Sequence, residues 1–317
     1  MGEGAHRLLV IGDIGVDLVL GPLARWPEVG TEVLMERSEL RAGGAAGNTA
    51  LAVAYLGGQC RLLSVTGCDA AGRWLREQFA GIDAQLEECP AHTTLSVGLL
   101  HACGDRTFLT TRGHLEHLAL PLLRRHLKPA GSQPAVALLS GVFLTPALRR
   151  DYPALIEELR ALGYAIAIDT NWPPQDWDAA LRAEVRDWIG RCDHVLLNEL
   201  EVRRLADTED LTAAVGRVAT VLRPGATLAV KLGAAGALGV QDGRRCQVAA
   251  PRATVFDSIG AGDGFNAGYL LARLEGAELA AALAAGCRAA TAIITRFPRR
   301  ELQAGELSAR PALMAAT

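Results

Sequence analysis

The sequence predicts an α/β protein: a central, mostly parallel sheet with helices on both faces and a small β-flap, or lid, over the ligand crevice. Two observations carry this reading. Apolar, β-rich runs alternate with helical patterns along most of the chain, the rhythm of βαβ units. Two stretches break that rhythm with short alternating runs of antiparallel character. In order, residues 8–11 read as a buried strand and 19–42, with Pro22, Pro27 and Gly30, as the first irregular stretch. An Ala-rich helix over 45–56 ends at Gly57-Gly58. A strand over 61–66 and a helix over 70–80 follow, then a hairpin over 94–111 with Gly104-Asp105 at its turn. The rhythm resumes with a strand at 135–139, a helix at 146–162 with Pro in its first turn, and strands at 164–169 and 194–197. Helices from Glu199 and over 211–222 precede a strand at 227–231, and Asp242-Gly243 marks an edge ribbon. Ala- and Leu-rich helices fill about 262–292.

The chain has 317 residues, a length for one large domain or two small ones. We read residues 1–317 as one domain with lid segments inserted at about 19–42 and 94–111, since no repeat or low-complexity linker divides them. Half of the chain is hydrophobic and 21% is charged, which builds a core and excludes disorder as the main state. The net charge is −3 with both signs interspersed, so the basic stripe of a nucleic-acid binder is absent. No apolar run approaches the roughly 18 residues that span a bilayer. Residues 1–7 lack the pattern of a signal peptide. A soluble cytoplasmic protein is expected, with neither nucleic acid nor membrane as partner. The seven cysteines, Cys60, Cys68, Cys89, Cys103, Cys192, Cys246 and Cys287, include no Cys-x-x-Cys pair and read as reduced core thiols. His101 and His114 read as solvent-facing flap residues, because no spacing makes a metal site.

The sharpest chemical feature is Asp257-Ser258-Ile259-Gly260-Ala261-Gly262-Asp263-Gly264-Phe265. Gly-Ala-Gly lets successive backbone N–H groups converge without obstruction, and a helical pattern starts directly after it. The orphan N–H groups and dipole of that helix add to an anion cradle. Asp263 sits in the same turn, where an acid repels phosphate. A base that takes a hydroxyl proton during attack on phosphorus would need to be there. The alternative is a first-turn acid favoured by the helix dipole.

This segment resembles the C-terminal signature of the ribokinase-like (PfkB) family of carbohydrate and nucleoside kinases, from the leading Asp257 through Gly-Ala-Gly-Asp to Ala267-Gly268. Gly43-Gly44-Ala45-Ala46-Gly47-Asn48, with the Ala-rich helix and Leu56-Gly57 after it, is similar to the family's N-terminal signature. The two stand in the right order, and weaker matches extend the resemblance over essentially the whole chain. It implies a ribokinase-like fold and ATP-dependent phosphorylation of a hydroxymethyl group on a sugar or sugar-like substrate. It also implies Mg²⁺ and, in many members, a monovalent cation near the anion hole.

Carried over by residue, the resemblance makes Asp263 the catalytic base and the amides of Gly260, Ala261 and Gly262 the anion hole. Asp17 matches an acid at the end of the first strand that binds substrate hydroxyls; a solvated strand-end acid is the alternative. Gly43, Gly44 and Asn48 match the sugar-contacting residues, although Asn48 also reads as a helix N-cap. Asn198 and Glu201 match an Asn-x-x-Glu motif that organises magnesium and phosphates, largely through water; an N-cap Asn with first-turn acids reads equally well. Lys231, Gly233 and Gly236 resemble the strand and turn bordering the nucleotide, and also an ordinary turn.

Three positions depart from the family pattern. Thr170 stands for the Pro of Asp-Pro-Asn in Asp169-Thr170-Asn171, Trp172-Pro173-Pro174 replaces the usual Leu-Arg, and Gly15 stands where ribokinases have Asn. Ribose is thereby disfavoured. Arg106 and Arg112 on the second flap segment either meet an acidic substrate group or lie along the surface.

A nucleoside kinase is the nearest alternative, with Trp26 and Phe108 as aromatic flap residues. A catalytically silent sugar- or nucleotide-binding regulator would gain nothing from Asp263. A dinucleotide oxidoreductase would need Gly-x-Gly-x-x-Gly where Gly12-Asp13-Ile14-Gly15 stands. A flap leaves strand edges that a second subunit can cover, so a homodimer through the lid is one expected assembly.

Overall fold

The computed structural model describes residues 6–102 and 104–296. The readings of residues 1–5 and of Cys103 lie outside the described residues. In chain order the first elements are β1 (Leu8–Gly12), β2 (Gly15–Leu23), β3 (Arg37–Gly43), α1 (Ala45–Tyr55), β4 (Arg61–Gly67), α2 (Ala70–Gln78) and β5 (Asp83–Cys89). Then come β6 (Leu95–His101), β7 (Arg106–Thr110), α3 (Leu120–Arg124), β8 (Val136–Ser140), α4 (Pro146–Arg149), α5 (Tyr152–Ala161) and β9 (Ala165–Asp169). The chain continues through α6 (Ala179–Gly190), β10 (His194–Asn198), α7 (Glu199–Ala206), α8 (Leu211–Ala219) and β11 (Thr227–Lys231). The last elements are β12 (Ala237–Gln241), β13 (Arg244–Val248), α9 (Ala261–Leu274) and α10 (Leu279–Ile294).

Nine strands form one sheet in the order β13-β12-β11-β10-β9-β8-β1-β4-β5. The run from β11 to β5 is parallel, and β12 and β13 add an antiparallel edge ribbon. Successive residues of each parallel strand feed two different cores. Leu9, Ile11, Leu139 and Ile168 pack with Tyr152, Leu155, Trp188 and Val215 of α5, α6 and α8. Leu8, Val10, Leu138 and Ala167 pack on the other face with Val53, Leu75, Phe265 and Leu283 of α1, α2, α9 and α10. Burial on both faces explains why these strands read as continuous apolar runs.

A second sheet, ordered β3-β2-β6-β7, gathers both stretches that broke the rhythm. Two antiparallel pairs, β3 with β2 and β6 with β7, flank one parallel pair, β2 with β6. Trp26, Val29 and Leu34, in the loop between β2 and β3, are exposed, as is Leu109 on β7. Among the described residues no helix is long and apolar enough to cross a membrane, and the six described cysteines are free thiols.

Several local expectations need correction. The helix expected over 146–162 is two helices, α4 and α5, because Pro153 lacks the N–H that would bond Arg149 and its ring would crowd that carbonyl. The Ala- and Leu-rich helices expected over about 262–292 are α9 and α10, parted after Leu274 where Gly276 takes φ 81°. β5 escaped the sequence reading because it is an edge strand of mostly half-buried polar residues, without an apolar run.

His114 is not solvent-facing; it is fully buried. Its Nδ1 accepts from Thr94 N–H at 2.8 Å and its Nε2 donates to Ile14 O at 3.1 Å. It thus ties the entry of β6 to the link between β1 and β2, where the small sheet leaves the large one. Burial holds its pKa down at about 4, and the same cause holds His194 at about 4.

Both histidines are neutral in the folded protein and protonate more readily in the unfolded chain. Their stabilising contribution is complete above the ordinary His pKa near 6.5 and is lost as pH falls from there toward 4. Thermal midpoints measured across that window should fall for the wild type and fall less for His114→Gln. At neutral pH, His114→Ala leaves two buried backbone groups unpaired and should cost about 1–3 kcal/mol for each group that water cannot reach. An unchanged midpoint would mean that the tie contributes nothing.

Candidate active site

The parallel strands all end on one edge of the large sheet, and pairing fixes which side chains meet there. Gly12 pairs with Ser140, Ser140 with Asp169, and Asn198 with Lys231. Asp13, Asp169 and Lys231 are thereby placed along the carboxyl edge, where open α/β sheets build their sites.

α9 begins at this edge. Its N-cap, Gly260, has φ 76° and ψ 7°, a left-handed conformation that suits glycine. Among the described residues the N–H groups of Gly260 and Gly262 have no hydrogen-bond partner, whereas that of Ala261 donates to Ser258 O at 3.3 Å. Two of the three expected cradle donors are therefore open, and the third is held weakly.

Asp263, third in the helix, is buried, and its Oδ2 accepts from Asn48 Nδ2 at 3.0 Å. The two signatures seen in sequence thus touch. Asn48 is not a helix N-cap, since that position belongs to Gly44. Burial pushes the Asp263 carboxyl up to about 8; the charge of Asp169 adds to the rise, while Lys231 and the Asn48 hydrogen bond oppose it.

Lys231 Nζ donates to Asp169 Oδ2 at 2.7 Å and lies 3.4 Å from Asn266 Oδ1. Asn266 Nδ2 donates to the same Asp169 oxygen at 2.5 Å. A Cβ placed on Gly262 would stand 3.5 Å from Lys231 Nζ, so the ammonium lies against the first turn of α9. Burial disfavours its charge, but Asp169 and Glu201 outweigh burial and leave its pKa raised. Gly233 and Gly236 stand in the turn after β11, where Gly236 N–H donates to Gly233 O at 3.1 Å.

Asn198 and Glu201 form a capping box on α7: Asn198 Oδ1 accepts from Glu201 N–H at 2.8 Å, and Glu201 Oε2 accepts from Asn198 N–H at 2.7 Å. Glu201 is nevertheless part of the charge cluster. Burial pushes its pKa up to about 7, with Asp169 adding to the rise and Lys231 opposing it.

Asp17 does not end the first strand. β1 stops at Gly12, and Asp17 is the third residue of β2, in the small sheet. It is buried rather than solvated. A Cβ on Gly43 would fall 2.2 Å from its carboxylate, so only glycine leaves room for Asp17 there. Opposite Asp17 on β3 stands Arg41, also buried. Arg41 Nη1 and Arg37 Nη2 reach Asp257 Oδ2 at 3.4 and 3.1 Å. Of the two flap arginines left open by sequence, Arg106 donates to Ser258 Oγ at 3.0 Å, whereas the exposed Arg112 bonds Glu116.

Asp13, Asp169, Asn266, Arg37 and Arg41 were not assigned from sequence. Asp13 and Asp169 carried a usable signal, as acids that end or directly follow apolar strands. Asp13 Oδ1 accepts from Ala46 N–H at 3.1 Å at the start of α1, and burial raises its pKa.

Lys231→Met should strand the buried carboxylate of Asp169 and cost about 3–5 kcal/mol of stability. Lys231→Met combined with Asp169→Asn should recover much of that loss. Chemical denaturation of both variants checks this; an equally unstable double variant would show that the pair is not the reason.

Comparison with known proteins agrees with this geometry. The model of the pfkB family carbohydrate kinase matches residues 5–301. A fructokinase of Klebsiella pneumoniae is 26% identical over 283 residues, covering 83% of each chain. An aminoimidazole riboside kinase of Salmonella typhimurium is 29% identical over 290 residues, covering 84% of this chain and 81% of the relative. Among solved structures, the fructokinase of Vibrio cholerae bound to fructose, ADP and calcium is 25% identical with a TM-score of 0.76, covering 98% of each chain. The adenosine kinase of Sinorhizobium meliloti shares the fold at 23% identity and a TM-score of 0.79, covering 97% of this chain and 99% of that one. With its two signatures joined through Asn48 and Asp263 and its whole described length matched, the chain belongs to the pfkB family of carbohydrate kinases and has the ribokinase-like α/β fold.

Proposed function

We propose that this protein transfers the γ-phosphoryl group of ATP to a hydroxymethyl group of a sugar or sugar-like alcohol, with Asp263 as general base. The observation that carries the reading is a buried carboxylate, with its pKa up at about 8, inside a helix turn where the Gly260 and Gly262 N–H groups are open. Asp263 takes the hydroxyl proton as that oxygen attacks phosphorus in line. The N–H groups of Gly260, Ala261 and Gly262 stabilise the charge on the transferring group. Asn48 holds the carboxylate in place. Asp17, with Gly43 and Gly44 beside it, accepts from the sugar hydroxyls. The turn at Gly233 and Gly236 borders the nucleotide, and Lys231 balances charge beneath the cradle.

The residues fit magnesium in an indirect role. Among the described residues no group of three His, Cys, Asp or Glu is placed to hold a metal. Asn198 Oδ1 and Glu201 Oε2 are already committed to the capping box. Asn198 and Glu201 would hold a Mg²⁺ ion indirectly, through the waters such an ion keeps. When bound, it offsets the charge on the leaving phosphates.

The small sheet serves as a lid whose closure excludes water. A second copy of the chain is the partner we assign to its exposed Trp26, Val29, Leu34 and Leu109. Exposed Phe108 on the same sheet would suit a nucleoside base, so the acceptor panel must include nucleosides. Measuring ATP consumption against sugars, keto-acid sugars and nucleosides tests the reading. Turnover with none of them would overturn it.

Asp263→Asn should keep the fold and lower kcat about 10²- to 10⁴-fold. Near-normal turnover would remove Asp263 from the base role. The same substitution should raise the thermal midpoint at alkaline pH. A carboxyl whose folded pKa lies above its unfolded value loses stability as pH climbs from near 4 to about 8, a loss Asn does not suffer.

The pH–rate profile has a definite sign. The base form accumulates above the pKa of about 8, so kcat/KM should fall about tenfold per pH unit on the acid side of that value. A profile flat down to pH 6 would exclude Asp263 as a base titrating in the free enzyme.

A further inference from the structure

β3 is patterned the wrong way round for a strand that covers a protein interior. Arg37, Glu39 and Arg41 alternate inward, with Arg41 5% exposed, while Ser38 and Leu40 face solvent, Leu40 at 46%. Burying guanidinium groups is costly unless they are spent on partners. These converge on Asp257, whose side chain is almost wholly buried. Arg37 and Arg41 both reach its Oδ2, and Glu39 Oε2 lies 2.9 and 3.6 Å from the same two guanidinium groups. Arg37 also lies over the Phe256 ring, 4.1 Å from its centroid. The other Asp257 oxygen, Oδ1, accepts from Ile259 N–H at 2.9 Å, one residue before Gly260. From the opposite edge of the small sheet, Arg106 of β7 holds Ser258. The turn that leads into the anion cradle is therefore gripped by both edge strands of the sheet that carries Asp17.

We propose that Arg37 and Arg41 are positioning residues for phosphoryl transfer, which set the 257–260 turn through Asp257 and so make the aim of the cradle amides depend on how the small sheet is seated. The inference rests on the kinase reading above. Neither arginine needs to touch the transferring group; each acts through the Asp257 carboxylate. An unseated sheet releases the turn, so bound ATP meets a poorly aligned cradle and water is a poor acceptor. Seating by sugar completes the alignment.

The test compares Arg41→Met, Arg41→Lys, Asp257→Asn and the double variant Arg41→Met with Asp257→Asn in the full-length protein. Arg41→Met and Asp257→Asn should each lower kcat about 10²-fold, the scale of a small misplacement near reacting atoms. Sugar affinity by calorimetry should change by less than about threefold, because neither residue binds substrate in this account. Arg41→Lys should restore part of kcat. The double variant should be no slower than the slower single one, since both act through one contact. Amide exchange at residues 259–262 should speed up about tenfold in each single variant. Arg112→Met, on the exposed surface, should change none of these readouts.

A raised sugar KM with kcat intact in Arg41→Met would make Arg41 a direct substrate contact and overturn the proposal. Additive losses in the double variant, or unchanged exchange at 259–262, would overturn it as well. If Arg41→Met does not fold, Arg41→Lys and Asp257→Asn decide by the same criteria. If the wild type phosphorylates no acceptor at all, it is the kinase reading that fails, and the exchange measurement still decides whether Arg41 sets the turn.

Discussion

Lys231 places one ammonium among three carboxylates that the fold has taken out of water: Asp169, Glu201 and Asp263. At an effective dielectric near 20, two unit charges about 4 Å apart interact by about 4 kcal/mol, so where that one positive charge goes decides how the acids behave. It goes first to Asp169, at 2.7 Å. Asp263 is left with a more distant share of the same charge and the full penalty of burial, and its proton affinity rises accordingly. Sheet pairing enforces this division, because Asp169 and Lys231 end strands on either side of β10. The helix N-terminus that supplies open N–H groups is built around the acid that shares the remainder.

Much of this was legible in the sequence, and for identifiable reasons. Parallel strands buried on both faces must be continuously apolar, so β1, β8, β9, β10 and β11 announced themselves. The start of α9 at Gly260 was legible because a Gly-Ala-Gly run directly before a helical pattern marks a tight turn into a helix. What was not legible depends on contacts between distant segments. The Asn48–Asp263 hydrogen bond spans 215 residues and the Arg41–Asp257 pair spans 216, and no local pattern encodes either. The placement of Asp17 failed at closer range: β1 and β2 are separated by only Asp13 and Ile14, so one short run of sequence contains strands of two different sheets. His114 was misread because a histidine buried as a neutral acceptor and donor looks, in sequence, like one exposed on a hairpin.

The two sheets divide the chemical work unevenly. The large sheet brings acids, an ammonium and a helix terminus to one edge. The small sheet has no deep core of its own; the inward residues of β3, Arg37, Glu39 and Arg41, are polar, while Trp26, Val29, Leu34 and Leu109 of the sheet and its loop are exposed. Each buried polar group on that strand must find an acceptor or donor, and Arg37 and Arg41 find theirs in Asp257. Asp17 and Arg41 sit opposite each other on this face, held at a fixed spacing by β2–β3 pairing.

The joint between β3 and the turn before α9 has an implication for how such chains diverge and how they can be recombined. A strand in a peripheral sheet would ordinarily be free to drift with whatever it recognises. Here Arg37 and Arg41 are matched to Asp257, some two hundred residues away, so a change at either end is penalised until the other follows. A chimera that takes residues 37–41 from one relative and residues 256–259 from another would join two individually sound pieces at a mismatched seam. These two short segments work as a pair, although nothing in their linear order suggests it.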